Sequence, residues 1–445
     1  MRSSRISLIV ALGLAAFSFS GALAVFRVLD GDVWARLAVG RLGAVPRADT
    51  WAFTPTLPVW TDHEWGAGVV FYRLYDWFGW PGLMVFKILT GLTAVGLALA
   101  VARRRGADWP GLLLLAIPAA LAVLPGYVPT VRSHAFTFVF FALTVWCLPR
   151  HPAWIPLLMV LWVNVHGGFV VGLIAVAVLA WRRPIILLAA LGATLVNPYG
   201  PAFWQYLVPA ILHPRTQIAE WGGMPLTLTG PYAGFWILLP VVLGLAWRAR
   251  QDREGLVLLA LTALAAWLHR RHLPFFGLTA LMVLGPHVPR VGMAWGLGAQ
   301  AVVAVVVAGW LWPRASLMPV APRTFYPVEA VDYLERTEAT GHLAVPFRWG
   351  SYASWRLFPR MKVSMDGRYE TVYPDSTFEM NHDFFYRQGP QWDRLVRRHR
   401  VDYILVEQKT THLTPADLAE RGYRLVWSDA TAALWAATST LPPGS

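Results

Sequence analysis

Residues 6–34, ISLIVALGLAAFSFSGALAVFRVLDGDVW, decide how this chain is read. The run 6–26 carries no charge and is long enough for a helix to cross the hydrocarbon core, which needs about 20 apolar residues. The chain then turns polar at once, with Asp30 and Asp32 within six residues of the end of that run. A start of MRSSR and a later Ser-Gly-Ala-Leu-Ala imitate a cleavable signal peptide. The uncharged run exceeds a usual signal core, so a retained helix is expected, with the acids beginning an outside loop.

Composition extends this reading to most of the chain. Of 445 residues, 56% are hydrophobic and only 14% charged, with mean hydropathy +0.47. Soluble domains carry about 25% charged residues, so a polytopic α-helical membrane protein is expected. The net charge of +13 could suggest nucleic acid. The arginines, however, fall in short groups between apolar runs, as at Arg103–Arg105, Arg182-Arg183 and Arg248–Arg253. That distribution is a positive-inside pattern, and no nucleic-acid partner is expected. Cys147 is the single cysteine, so no intrachain disulfide can form.

With the basic groups placed in the cytoplasm, about 11 spans follow. They lie near 6–26, 81–102, 109–128, 134–149, 152–166, 167–181, 184–200, 231–247, 255–268, 272–288 and 294–313. A second outside loop is expected near 198–230. Residues 1–317 form the membrane domain, with its first outside loop at 27–80, and residues 318–445 an extracytoplasmic α/β domain. In that tail, short β-like runs at 342–347, 362–365, 401–407, 424–427 and 432–436 alternate with helical stretches near 327–339, 390–399 and 414–421.

Several places could carry chemistry. Alternation along an extended segment would put Asp30 and Asp32 on one side, where they could act as a general base or hold a divalent cation. The bland alternative is a pair of solvated loop acids. In Trp60-Thr61-Asp62-His63-Glu64-Trp65, His63 and Glu64 sit between interfacial tryptophans, while Asp62 suits the cap of a helix running from Glu64 through Tyr75. In LWVNVHGGFVVG, 161–172, Asn164 and His166 are polar groups inside an apolar run, more often structural partners than ligands. Lys87 needs an anion or a route to the interface.

Arg270 and Arg271, in LHRRHLPFFGL at 268–278, fall outside by parity, against the positive-inside trend. Guanidinium forks match phosphate oxygens, so these two and Arg132 could hold an anionic headgroup or pair with an acid. Glu220 lies in the second outside loop. Asp366-Gly367-Arg368 follows a strand and reads as a turn. No Walker loop, GxSxG elbow, HExxH or CxxC framework occurs.

These motifs occur in a meaningful order. Asp-x-Asp-x-Trp follows the first span, then come His-Glu-Trp, Trp-x-Asn-x-His-Gly-Gly-Phe, Asn-Pro-x-Gly and a late outside arginine. The chain thereby resembles bacterial membrane proteins of the glycosyltransferase-C superfamily, whose relatives at fold level include protein O-mannosyltransferases and lipid A aminoarabinose transferases. The resemblance implies an inverting hexosyl or pentosyl transferase in the cytoplasmic membrane. It would use a polyprenyl-phosphate-linked sugar donor and a glycan, lipid or protein acceptor. It also implies Asp32 as base, Asp30 beside it, and Arg270 and Arg271 at the phosphate, with His63, Glu64, Arg132, His166 and Glu220 lining the substrate site. Any divalent metal ion would sit on Asp30 and Asp32. The family carries His two residues after the loop's first Trp, where this chain has Arg36. A polyisoprenoid-glycan flippase or export subunit, or a non-catalytic envelope scaffold, are the alternative readings.

Overall fold

The computed structural model describes residues 2–27, 29, 31–127, 131–212, 219–319 and 325–440. They form two compact units, one of residues 1–27 with 77–319 and the other of 28–76 with 320–445. Asp30 lies outside the described residues. The sequence reading divides the chain at 317/318, whereas packing groups the opening loop with the tail.

The first unit is helical. Among the described residues, Arg5–Val25, Trp65–Arg104, Trp109–Tyr127 and Met293–Arg314 are long and apolar enough to cross a bilayer. The run Trp65–Arg104 is broken at Gly79 (φ 61°, ψ −154°), a conformation open to glycine, and Pro81 follows at once. Six further apolar helices have 10–17 residues, among them His134–Cys147, Trp154–Val163 and Phe169–Leu179. At about 1.5 Å per residue these are shorter than the roughly 30 Å core.

Leu273–Leu284 is buried along its whole length. It packs on Trp109–Val123, Arg253–Leu268 and Ala233–Ala246. A Cβ on Gly277 would lie 2.8 Å from the Ala119 carbonyl, so glycine sets the close approach of two helices. Lys87 is buried and donates to the Phe26 carbonyl at the end of the first helix. Asn164 donates to the Val160 and Val196 carbonyls, at 2.7 and 2.9 Å. Within the expected loop 198–230, Ala202–Leu212 is helical, starting after the turn at Gly200 (φ 56°). Its apolar sequence FWQYLVPAIL continues the helical material beyond the Asn-Pro turn.

The second unit carries a five-stranded sheet: β1 (Gly341–Ala344), β2 (Met361–Val363), β3 (Tyr403–Glu407), β4 (Tyr423–Ser428) and β5 (Ala432–Ala437). Its order is β2-β1-β3-β5-β4. The β1–β2 and β1–β3 pairs are parallel, while β5 runs antiparallel to both β3 and β4. Ile404 and Val406 of β3 meet Phe384 and Phe385 of helix Asp375–Tyr386 in the core.

The opening loop completes this sheet. Ala52 bridges Val363 in parallel, with Val363 N donating to Trp51 O (2.9 Å) and Phe53 N to Val363 O (3.1 Å), on the edge of β2. Residues Gly31–Leu42, read as part of the outside loop with only Asp30 and Asp32 taken as extended, are helical. Val33 and Leu37, then Trp34 and Ala38, recur four apart and are all buried, and Asp32 favours the first turn. Trp34 meets Tyr326 and Tyr352 edge-on, and Arg41 donates to the Trp355 carbonyl at 2.8 Å. Gly40 faces Gly68 on the helix that begins at Trp65, and a Cβ there would be 2.2 Å from the Gly68 carbonyl.

Candidate functional site

In the helical unit, residues from four distant segments meet. Arg132 stands just before helix His134–Cys147, and its Nη1 lies 2.6 Å from Glu220 Oε2. Arg271 belongs to the short turn ahead of the buried helix Leu273–Leu284, and its Nη1 lies 3.6 Å from Glu220 Oε1. Arg271 also donates to His134 Nε2 and stacks 4.3 Å above the Trp221 ring. Arg270 points elsewhere, over Tyr232 at 5.3 Å and toward the Gly222 carbonyl.

The histidines have definable tautomers. A guanidinium has only donors, so His134 Nε2 accepts and that ring is neutral. His166 lies 4.4 Å from His134, ring centre to ring centre. Its Nδ1 accepts from Gly168 N (2.9 Å) and contacts Thr137 Oγ1 (2.7 Å). Trp162 Nε1 donates to the same hydroxyl at 2.8 Å, leaving the Thr137 proton for His166 Nδ1. A Cβ on Gly168 would fall 2.6 Å from both Nδ1 and Oγ1, so the second glycine of His-Gly-Gly is a fit requirement.

The arrangement holds two guanidiniums, Arg132 and Arg271, on the carboxylate of Glu220, the acid that pairs with them among the described residues. Side-chain exposures of 19%, 24% and 17% for Arg132, Glu220 and Arg271 leave the ion pairs reachable from solvent. An anion with several oxygens could take the place of Glu220 on both arginines. Sequence reasoning singled out Arg132, His166, Glu220, Arg270 and Arg271, and four of these fall in one network. It missed His134, Thr137, Trp162 and Trp221. The His in Thr-Val-Arg-Ser-His, two residues after an already suspected arginine, was the available signal.

In the second unit, Arg36 gathers the acids of the opening loop. Its Nη1 lies 2.6 Å from Asp62 Oδ1 and its Nε 3.6 Å from Glu64 Oε2. His63 Nε2 is 3.7 Å from Glu64 Oε1. Burial would lower the Arg36 pKa, but the charges of Asp62, Glu64 and Asp32 outweigh it, so the guanidinium is held firmly protonated. Asp62 Oδ1 also accepts the Glu64 N–H at 3.0 Å, in the turn leading into the helix that starts at Trp65. Asp62 is thus both a turn former and an ion-pair partner. Among the described residues no group of three His, Cys, Asp or Glu side chains is arranged for a metal ion. Arg36 thus engages Asp62 and Glu64. Asp62 and Glu64, held by one guanidinium, do not by themselves offer the six or so oxygens that a hard divalent cation wants.

Asp366-Gly367-Arg368 forms a fully buried ion pair. Arg368 binds Asp366 through Nε–Oδ1 (2.8 Å) and Nη2–Oδ2 (2.7 Å), and reaches Asp49 Oδ1 through Nη1 at 2.6 Å. Trp51 and Trp60 flank the guanidinium at 4.1 and 4.5 Å. All three charged side chains are 0–1% exposed.

Comparison with solved structures explains the architecture. ArnT from Cupriavidus metallidurans in the apo state matches 99% of this chain and 99% of its own, with TM-score 0.55 and 14% identity. The chain has the ArnT fold. ArnT bound to undecaprenyl phosphate matches over 97% of both chains, with TM-score 0.53 and 15% identity. That fold is of the kind the motif resemblance implied, and the chain is a polytopic helical protein of the membrane with a sheet-containing C-terminal region. No family profile matches the sequence. No curated protein does either.

Proposed function

We propose that the chain is an integral membrane glycosyltransferase of the cytoplasmic membrane. It moves a hexosyl or pentosyl group, with inversion, from a polyprenyl-phosphate-linked donor to an acceptor at the outer face, where the C-terminal domain also lies. The observation that carries this reading is the arginine–glutamate–histidine network inside a chain with the ArnT fold along nearly its whole length. That ArnT was crystallised with undecaprenyl phosphate supports a lipid-phosphate ligand here.

In the proposed reaction the acceptor oxygen attacks the anomeric carbon as the carbon–oxygen bond to phosphate breaks. The electron pair of that bond passes to the phosphate, whose charge Arg132 and Arg271 receive in exchange for Glu220, with Arg270 adding to the field. The acceptor proton passes to Asp32, the base that the family resemblance implies, with Asp30 the other acid of that motif. His63 and Glu64 fix the acceptor side, and His166 fixes His134 and so the Arg271 head. No step runs through a metal.

Protein reconstituted in liposomes with a labelled polyprenyl-phosphate sugar tests this. Sugar appearing on an acceptor supports the enzyme. Label crossing between leaflets without transfer would favour a carrier instead. Neither event would favour a scaffold, the reading that Arg36 supports by standing where the family carries histidine.

A further inference from the structure

The helical unit has a second basic place that the transfer reading leaves unused. A cavity of about 540 Å³ opens where helices Trp65–Arg104, His134–Cys147 and Phe169–Leu179 end. Arg104, Arg105, Arg150, Arg182 and Arg183 line it, with Asp252 and Glu254 as its only acids. Arg105 pairs with Asp252, and Arg182 lies 3.6 Å from Glu254. That leaves Arg104, Arg150 and Arg183 with no carboxylate partner among the described residues, a surplus of three positive charges. Basic residues at helix C-termini often serve the terminal carbonyls. These three donate to none among the described residues, whereas Arg103 does so at Ala107. Arg104 lies over the Trp146 ring.

Trp146 also belongs to a second hollow, of about 440 Å³, walled by Leu143, Trp154, Leu157 and Leu161. Leu157 and Leu161 are 50% and 52% exposed there. A cationic cavity therefore adjoins an apolar groove, with one indole in both walls. A soluble phosphate would need only the first; a molecule with a phosphate at one end and a hydrocarbon chain at the other uses both. Cavities of this size suit small ligands, and the guanidinium geometry suits phosphate.

We propose that these two joined hollows bind an anionic phospholipid, with its phosphate among Arg104, Arg150 and Arg183 and an acyl chain along Leu143, Leu157 and Leu161. The site is separate in sequence and chemistry from the Arg132–Glu220–Arg271 network and does not depend on the transferase reading.

Native mass spectrometry of the delipidated full-length protein, titrated with phosphatidylglycerol or phosphatidylcholine, measures it. Phosphatidylglycerol is expected to bind in preference, and Arg150→Ala/Arg183→Ala to weaken it by about tenfold or more per arginine. Arg150→Lys/Arg183→Lys, which keeps the charge, should retain most binding and shows that the fold survives change at these positions. Leu157→Asp should also weaken phosphatidylglycerol. Equal retention of the two lipids would overturn the proposal, as would an equal loss in Arg248→Ala, an exposed arginine outside the cavity. If inorganic phosphate binds and displaces the lipid while Leu157→Asp changes nothing, the ligand is a soluble phosphate and the lipid assignment falls.

Discussion

Arg36 and Asp62 meet at 2.6 Å across 26 residues of sequence, with their side chains only 9% and 2% exposed. The contact ties the helix Gly31–Leu42 to the turn before Trp65 and balances two acids with one guanidinium. Breaking such a pair from one side leaves a charge buried without its counterion.

Arg36→Ala should therefore cost about 3 kcal/mol of stability. Asp62→Asn in the same chain should restore part of it, because the stranded charge is then removed. Thermal unfolding of the single and double variants measures this. If the double variant is no more stable than Arg36→Ala alone, Arg36 does not act through Asp62.

Arg368→Lys should be as severe, despite keeping the charge. Its fork serves Asp366 and Asp49 simultaneously between two indoles, which a single ammonium cannot do. A loss of about 3–5 kcal/mol is expected in a denaturant titration. A loss below about 1 kcal/mol would mean that the indoles, and not the fork, hold this part of the fold.

The sequence was informative where the signal is local. All five strands were visible because β-rich runs such as Tyr403–Glu407 need only neighbours to declare themselves. The helix Gly31–Leu42 escaped because its acids drew attention away from the four-residue recurrence of Val33 and Leu37. Helix Phe347–Leu357 escaped for a similar reason. Its aromatic-rich sequence reads as a motif, although Trp349, Ala353 and Leu357 recur every four residues and are buried. The bond between Asp49 and Arg368 spans 319 residues, and neither end announces the other. In the helical unit, misplaced arginines gave Arg132 and Arg271 away, but His134 had no such mark.

Acid should loosen the tail before it affects neutral-pH behaviour. Burial would raise the pKa of Asp417, but hydrogen bonds from Thr414 and the charges of Arg387 and Arg421 outweigh it and hold the carboxyl below its usual range. Asp393 is likewise lowered, burial being outweighed by Arg421 and Arg397. A depressed folded-state pKa contributes stability above the unfolded value of about 4 and loses it as pH falls further. The unfolding temperature followed by near-ultraviolet circular dichroism should thus hold from pH 7 to 5 and drop below about pH 4. Asp393→Asn/Asp417→Asn should shrink the drop, and an unchanged profile would assign acid sensitivity to other groups.

Asp32→Asn separates base from binder. Under the proposed reaction it should abolish sugar transfer while leaving the donor KM and the unfolding temperature close to the parent's. Its charge also acts on Arg36, so a drop in unfolding temperature comparable to that of Arg36→Ala would show that Asp32 works through the ion-pair cluster. Retained turnover would remove it from catalysis.

Arg271 and Glu220 should respond in opposite directions. Removing Arg271 takes away a donor to the departing phosphate, so Arg271→Ala should lower kcat/KM by about 10²–10³. Glu220→Gln instead frees Arg132 and Arg271, which at present share its two oxygens. An incoming phosphate then displaces no carboxylate, and the donor KM should fall, by up to about tenfold. The same variant should melt at a lower temperature, since two half-buried guanidiniums lose their counterion. Initial rates at varied donor concentration read both effects. A donor KM that rises in Glu220→Gln as it does in Arg271→Ala would mean that Glu220 holds the substrate itself, and the exchange of carboxylate for phosphate would have to be abandoned.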